Sequence, residues 1–223
     1  MIQCLHISKL MGNYADEKRH GCNIIGTGIK PLDRIIGGFQ SGELVTIAGR
    51  PLMGKKELCL YLIHRWAVED KIPVAVYDME DCDETFANQL LASSAKLSCH
   101  KLRLGAELSS EETRRKELAI KQLSDSPLYF NCTYIDGGMS MALTMESLQK
   151  SISDVVMRHG VKVIFVMGLQ YLDEGCSTNN IYRTQALTLK KLARELNVII
   201  VVSSFLNWCV DSREGIAGKF PPG

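Results

Sequence analysis

The sequence predicts an α/β fold with a mostly parallel central sheet and helices on both faces. Three observations carry that expectation. Five short aliphatic runs alternate with five longer amphipathic segments. A glycine-rich loop, GRPLMG at 49–54, lies between a strand candidate and a helix candidate. Cap residues stand where the hydrophobic periodicity ends. Strands and helices that alternate in this way imply right-handed crossovers and a sheet buried on both sides.

The elements follow in chain order. Met1–Cys22 is polar and mixed, and reads as an N-terminal arm or linker before a single domain over 23–223. Leu44–Ala48 is the first strand and Lys56–Val68 the helix after the glycine-rich loop. Val74–Tyr77 is the second strand, followed by helices over Phe86–Leu97 and Glu111–Leu123. Ser109 and Glu112 have the spacing of a capping box, in which two side chains satisfy the first free N–H groups of a helix. Leu128–Phe130 is a strand and Met145–His159 a helix, with Gly160 placed for a left-handed C-terminal cap. The strand Val163–Val166 precedes a helix over Ile181–Leu196, where Leu189, Leu192, Ala193 and Leu196 share one face. Val198–Val202 is the last strand. The tail GIAGKFPPG should be irregular, because Gly and Pro interrupt both helix and strand.

Composition bounds the function. The 223 residues carry a net charge of +1, with 46% hydrophobic and 23% charged side chains. That balance gives no general electrostatic attraction to nucleic acid or to membranes. The longest apolar runs are far below the ~18 residues of a membrane span. The eight cysteines form no C-x-x-C pair, which favours free thiols in a reducing, cytoplasmic setting over a disulfide framework.

The loop has chemical content. Gly49, Gly54 and Lys55 match the phosphate-loop pattern G-x-x-x-x-G-K-[ST], in the strand–loop–helix setting that the pattern requires. Glycines let backbone N–H groups approach phosphate oxygens, the helix N-terminus adds partial positive charge, and Lys55 would reach the terminal phosphates. The residue after Lys55 should be Ser or Thr, and it is Lys56.

The upstream stretch TGIKPLDRIIGGFQSGELVTIAGRP, Thr27–Pro51, extends the match. It resembles the entry segment of the RecA-like ATPase domain of DnaB-type replicative DNA helicases, T-G-x-x-x-L-D-x-x-x-G-G-x-x-x-G-[DE]-L and then G-R-P-[SG]-M-G-K-[ST]. PVAVYDMED is similar to that family's S-L-E-M strand end and puts Glu80 at its catalytic glutamate. HGVKVIFVMGLQYL resembles the strand with the metal-binding aspartate, I-D-Y-L-Q, and LKKLARELNVIIVVSSF the family's L-K-x-L-A-R-E-L-N-V-P-V-I-x-L-S-Q. The resemblance runs from about Thr27 to Asn207. It implies a RecA-like P-loop NTPase fold and a nucleotide site at Gly49, Arg50, Pro51, Met53, Gly54, Lys55 and Lys56. It also implies ATP as ligand, other replication proteins as partners, and single-stranded DNA.

The departures fall on the chemistry. Phosphate-loop NTPases hold Mg²⁺ through the loop Ser/Thr and an Asp on a neighbouring strand. Here those positions are Lys56 and Met167, and neither an ammonium nor a thioether suits a hard, oxygen-seeking ion. The family's γ-phosphate glutamine aligns with Phe205. The later segment with the family's arginine finger is absent, so the domain reads as truncated and its self-association as different from a family hexamer. Glu80 is then read as vestigial, one acid of several before a helix. Lys56 has two roles open: neutralising phosphate charge in place of the metal, or pointing to solvent. The expected metal set is empty.

Other candidates are weaker. LDEGCSTNN has two acids and no base where the family's DNA-facing loop should follow. HKLRLG and TRRKE read as solvated basic faces, Cys99–His100 as a packed thiol beside a surface imidazole, and GGMSMALTM as a loop entering a helix. Three functions fit: a regulatory or scaffold relative defective in Mg²⁺-dependent hydrolysis, an active helicase motor or a fragment of one, and, more remotely, a recombinase- or clock-type RecA-fold ATPase. The first is preferred, because both metal ligands are replaced.

Overall fold

A computed structural model describes residues 24–132, 144–172 and 180–206. The N-terminal arm, the C-terminal tail, Met139, Met141 and most of LDEGCSTNN lie outside the described residues.

A small antiparallel pair, β1 (Ile24–Ile25) with β2 (Phe39–Gln40), flanks α1 (Lys30–Ile36), and neither was expected. Pro31 in the first turn fits α1, since its missing N–H would have no helical partner there. Asp33 ties this entry segment together, accepting bonds from the Thr27 hydroxyl (2.7 Å) and backbone N–H (2.8 Å). Five further strands are β3 (Leu44–Gly49), β4 (Val74–Asp78), β5 (Leu128–Cys132), β6 (Val163–Met167) and β7 (Ile199–Phe205). They form one parallel sheet in the order β3-β7-β6-β4-β5.

The remaining helices are α2 (Lys55–Ile63), α3 (Asp83–Ala95), α4 (Cys99–Arg103), α5 (Ser110–Ser124), α6 (Met145–His159) and α7 (Asn180–Leu196). The expected helix over Lys56–Val68 is α2 plus a π-helical continuation, His64–Glu69, closed by the Asp70 N–H donating to Arg65 O. Helix α3 starts three residues before the expected Phe86, because Asp83 and Glu84 suit the positive end of a helix. It ends at Ala95, where Lys96 takes a left-handed conformation. The capping box at Ser109 and Glu112 and the left-handed Gly160 cap both form as expected. Strand β7 begins one residue later than Val198 and runs on to Phe205, because it pairs with β3 as far as Gly49.

Strands β4 and β6 are buried along their whole length, as central parallel strands should be. Alternation sorts their side chains between two cores. Ala75, Tyr77, Ile164, Val166, Ile200 and Val202 face α6 and α7, meeting Leu148, Ile152, Leu189 and Ala193. Val74, Val76, Val163, Phe165, Met167, Ile199 and Val201 face α2 and α3. Trp66 sits fully buried in this second core against Phe39 and Phe165, and donates its indole N–H to Gly26 O at 2.7 Å.

Candidate functional site

The parity of the strands builds the site. Asp78 ends β4, and Met167, its register partner, ends β6. Each continues the odd–even set that faces α2, so both point at the helix after the phosphate loop. Ser203 and Phe205 at the end of β7 have the same parity. The loop Arg50–Gly54 closes over these strand ends. Gly54 sits at φ 80°, a left-handed N-cap that suits glycine and starts α2.

Lys55 reaches back across the loop. Its ammonium donates to Arg50 O at 3.2 Å and lies 3.9 Å from the centre of the Phe205 ring, a cation–π contact. No carboxylate pairs with it among the described residues.

Lys56 does not point to solvent: its side chain is about one-fifth exposed and is tied to two carboxylates. Its ammonium is bound to Asp78 Oδ2 at 3.2 Å and to Asp81 Oδ2. Asp78 is fully buried. Its second oxygen accepts from the backbone N–H groups of Glu80 (2.8 Å) and Asp81 (3.3 Å), and Gln89 donates to Asp81 Oδ2 at 3.2 Å. Burial works against the charge on Lys56, but Asp81 and Asp78 outweigh it and raise its pKa. Burial raises the Asp78 pKa, and Lys56 offsets part of that rise. This cluster joins α2 to the turn after β4.

Glu80 precedes α3, which begins at Asp83, and its side chain lines the site. Ser203 Oγ donates to its Oε1 at 3.2 Å, and Ser203 accepts from the Gly168 N–H at 3.0 Å. Burial raises the pKa of Glu80, opposed by Lys56. Gly168, at φ +78°, makes room for it: a Cβ there would lie 2.7 Å from Glu80 Cγ.

A cavity of about 210 Å³ results, lined in part by Gly54, Lys55, Lys56, Glu80, Met167 and Phe205. Of the expected nucleotide residues, Gly54, Lys55 and Lys56 are brought together here. Arg50 contributes its carbonyl, Gly49 accepts from the Leu206 N–H at 3.1 Å, Pro51 lines a neighbouring cavity, and Met53 is largely exposed.

The residues do not fit Mg²⁺. The loop hydroxyl position holds an ammonium already committed to two carboxylates, and Met167 is a buried thioether. Among the described residues no group of three acidic, His or Cys side chains could hold a metal. A phosphate group fits better, since Gly54, the start of α2 and the Lys55 ammonium converge on the cavity.

Asp78, Asp81 and Ser203 were missed from sequence. A signal for the first existed: Asp78 stands at the serine of the family's S-L-E-M pattern, so two departures of opposite charge, Lys56 and Asp78, occur in one site. No helix among the described residues is long and apolar enough to cross a membrane.

Comparison with known proteins gives consistent results. The chain is 32% identical over 217 residues to the replicative DNA helicase DnaB of Nostoc sp., covering 94% of this chain and 24% of that protein. It is 28% identical to the replicative DNA helicase DnaB of Treponema pallidum, covering 89% of this chain and 44% of the relative. It therefore spans only about a quarter to two-fifths of these relatives' length. Two solved structures share the fold at 22% identity. One is described as an ATPase domain (TM-score 0.77, 96% of this chain and 75% of that one). The other is a DnaB-like replicative helicase described with its primase interactions (TM-score 0.76, 99% and 52%). The sequence profile of the DnaB-like helicase C-terminal domain matches residues 25–220, and the chain belongs to that family.

Proposed function

We propose that this domain is a regulatory or scaffold relative of DnaB-type helicases in DNA replication, which binds nucleotide or phosphate without Mg²⁺ and does not turn ATP over. One observation carries the reading: the Lys56 ammonium is held by Asp78 and Asp81 where the family places a metal-binding hydroxyl. Phosphoryl transfer depends on positioning and on neutralisation of charge by the metal. An ammonium that serves two carboxylates and a thioether at Met167 supply neither. Lys55 differs, because among the described residues its ammonium bonds a carbonyl and lies over an aromatic ring, and it feels the Glu80 carboxylate only without a direct bond, which leaves it available to an anion. Its partners would be replication proteins of the kind its relatives work with.

Titration of ATP and of inorganic pyrophosphate into the protein, with Mg²⁺ and with EDTA, tests the binding half. The affinities should agree within about threefold between the two conditions, and Lys55→Ala should weaken both at least tenfold, about 1.4 kcal/mol. Binding that requires Mg²⁺ would favour the second reading, an active motor, for which the shared cavity of Lys55 and Glu80 speaks.

A further inference from the structure

The cavity at the phosphate loop sets a carboxylate beside the cation that would receive an anion. Lys55 and Lys56 rise from the first turn of α2, and Glu80 faces them from the turn after β4. The Lys56 ammonium already serves Asp78 and Asp81. An anion that reaches Lys55 therefore meets the Glu80 carboxylate in the same enclosed space. Like charges in a desolvated site disfavour each other's ionised form.

A proton on Glu80 removes that conflict and adds a contact. A neutral carboxyl keeps acceptor capacity and gains one O–H donor. Glu80 Oε1 accepts from Ser203 Oγ at 3.2 Å, and Ser203 is held in turn by the Gly168 N–H at 3.0 Å. The end of β7 thus fixes one oxygen of the carboxyl and leaves the other, Oε2, to carry the proton.

The surroundings already lean towards the neutral form. Burial raises the Glu80 pKa above its ordinary 4.5, and Asp78 adds to the rise, against Lys56, the Ser203 bond and Lys55. An anion on Lys55 offsets that ammonium and pushes the carboxyl further up. The other groups facing Glu80 hold their charge states. Lys56 stays an ammonium, its pKa raised, and burial pushes the Cys59 thiol up to about 12. Asp78 is engaged by Lys56 and two backbone N–H groups, and the Tyr171 ring approaches Glu80 across Gly168.

We propose that Glu80 is a binding residue of the anion site, present there as a neutral carboxyl that donates to the phosphate, so that each anion enters with one proton. This presupposes the anion site at Lys55 proposed above and names a second group in it. The proton comes from solvent to Glu80 and stays there while the anion is bound; no other bond changes. Below the pKa of the empty site the carboxyl is already neutral, and affinity is constant with pH. Above it the anion must draw in a proton, and affinity falls by up to about tenfold per pH unit until the pKa of the occupied site is passed.

Titration of inorganic pyrophosphate in EDTA, from about pH 5 to about pH 8.5, into the wild type, Glu80→Gln and Glu80→Ala tests this. Pyrophosphate itself titrates in that range, but alike for every protein, so the ratio of affinities isolates Glu80. The wild type should bind within about threefold of Glu80→Gln at the acid end, and about tenfold or more weakly than it at the alkaline end. Calorimetry near neutral pH, in two buffers of different ionisation enthalpy, should show the wild type taking up more protons than Glu80→Gln. Glu80→Ala should show the same ratio to Glu80→Gln throughout but bind more weakly, because alanine brings no donor. Lys55→Ala should weaken binding in each background, which places the ligand in this cavity. A wild-type to Glu80→Gln ratio that does not change with pH, while binding still depends on Lys55, would overturn the inference and leave the anion site standing. Glu80→Ala binding as tightly as Glu80→Gln would also overturn it, since Glu80 would then only repel. No pyrophosphate binding at any pH would remove the anion site itself, and this inference with it.

Discussion

The Lys56 ammonium and the Asp78 carboxylate lie 3.2 Å apart, and they connect the helix after the phosphate loop to the end of a fully buried strand. Removing one partner of a buried pair leaves a desolvated charge, whereas removing both leaves none. Lys56→Thr should therefore cost about 3–5 kcal/mol, limited by protonation of Asp78. Asp78→Ser should cost less, because Asp81 still pairs with the lysine. The double variant should fall short of the summed losses by about 1–3 kcal/mol in a denaturant-unfolding cycle. Additive losses would mean that the pair contributes no coupling.

Glu80 is held where Gly168 permits it. Gly168→Ala introduces a Cβ 2.7 Å from Glu80 Cγ and 2.8 Å from the Tyr171 ring, at a backbone φ of +78°. The left-handed conformation alone costs a non-glycine residue about 1–2 kcal/mol. The variant should unfold about 2 kcal/mol more easily, and its structure should show Glu80 displaced from Ser203. Gly160→Ala is the control: it shares the left-handed φ, at +62°, but no atom crowds its Cβ. It should lose only the backbone part.

Glu112 gives a pH signature. Its bond from Lys101, reinforced by the Ser109 backbone N–H, lowers its pKa from 4.5 to about 2. A carboxylate depressed in the folded state stabilises above its unfolded pKa and loses that contribution as pH falls through the folded value. The stability difference between the wild type and Glu112→Gln should thus be constant above about pH 5, shrink between pH 4.5 and 2, and vanish below. A difference independent of pH in thermal melts would contradict the assignment.

Much of this was legible from local pattern. The strand–loop–helix at Gly49–Lys55, the buried runs at Val74 and Val163, and the caps at Ser109 and Gly160 each depend on residues close in sequence. What escaped depends on the order of strands. Lys56 and Asp78 are 22 positions apart, and they meet because β4 lies two strands from β7 and its last residue has the parity that faces α2. The sequence left Lys56 with solvent or phosphate as company because neither carboxylate was known to be near. In sequence Glu80 is one acid of several before a helix for the same reason, since Ser203, its partner, is 123 positions away. Helix α1 and the β1–β2 pair are too short to carry a hydrophobic period, and hydrophobic spacing barely distinguishes the π-helical stretch from α.

The central claim is that this domain does not hydrolyse ATP through a metal. Steady-state ATP hydrolysis by the purified protein, at saturating ATP and Mg²⁺, with and without single-stranded DNA, tests it most directly. The account predicts turnover orders of magnitude below a typical enzyme median of about 10 s⁻¹. It also predicts no stimulation by DNA and no further loss in Glu80→Gln. Robust turnover that rises with single-stranded DNA and is abolished by Glu80→Gln would contradict it, and would make the domain a working motor.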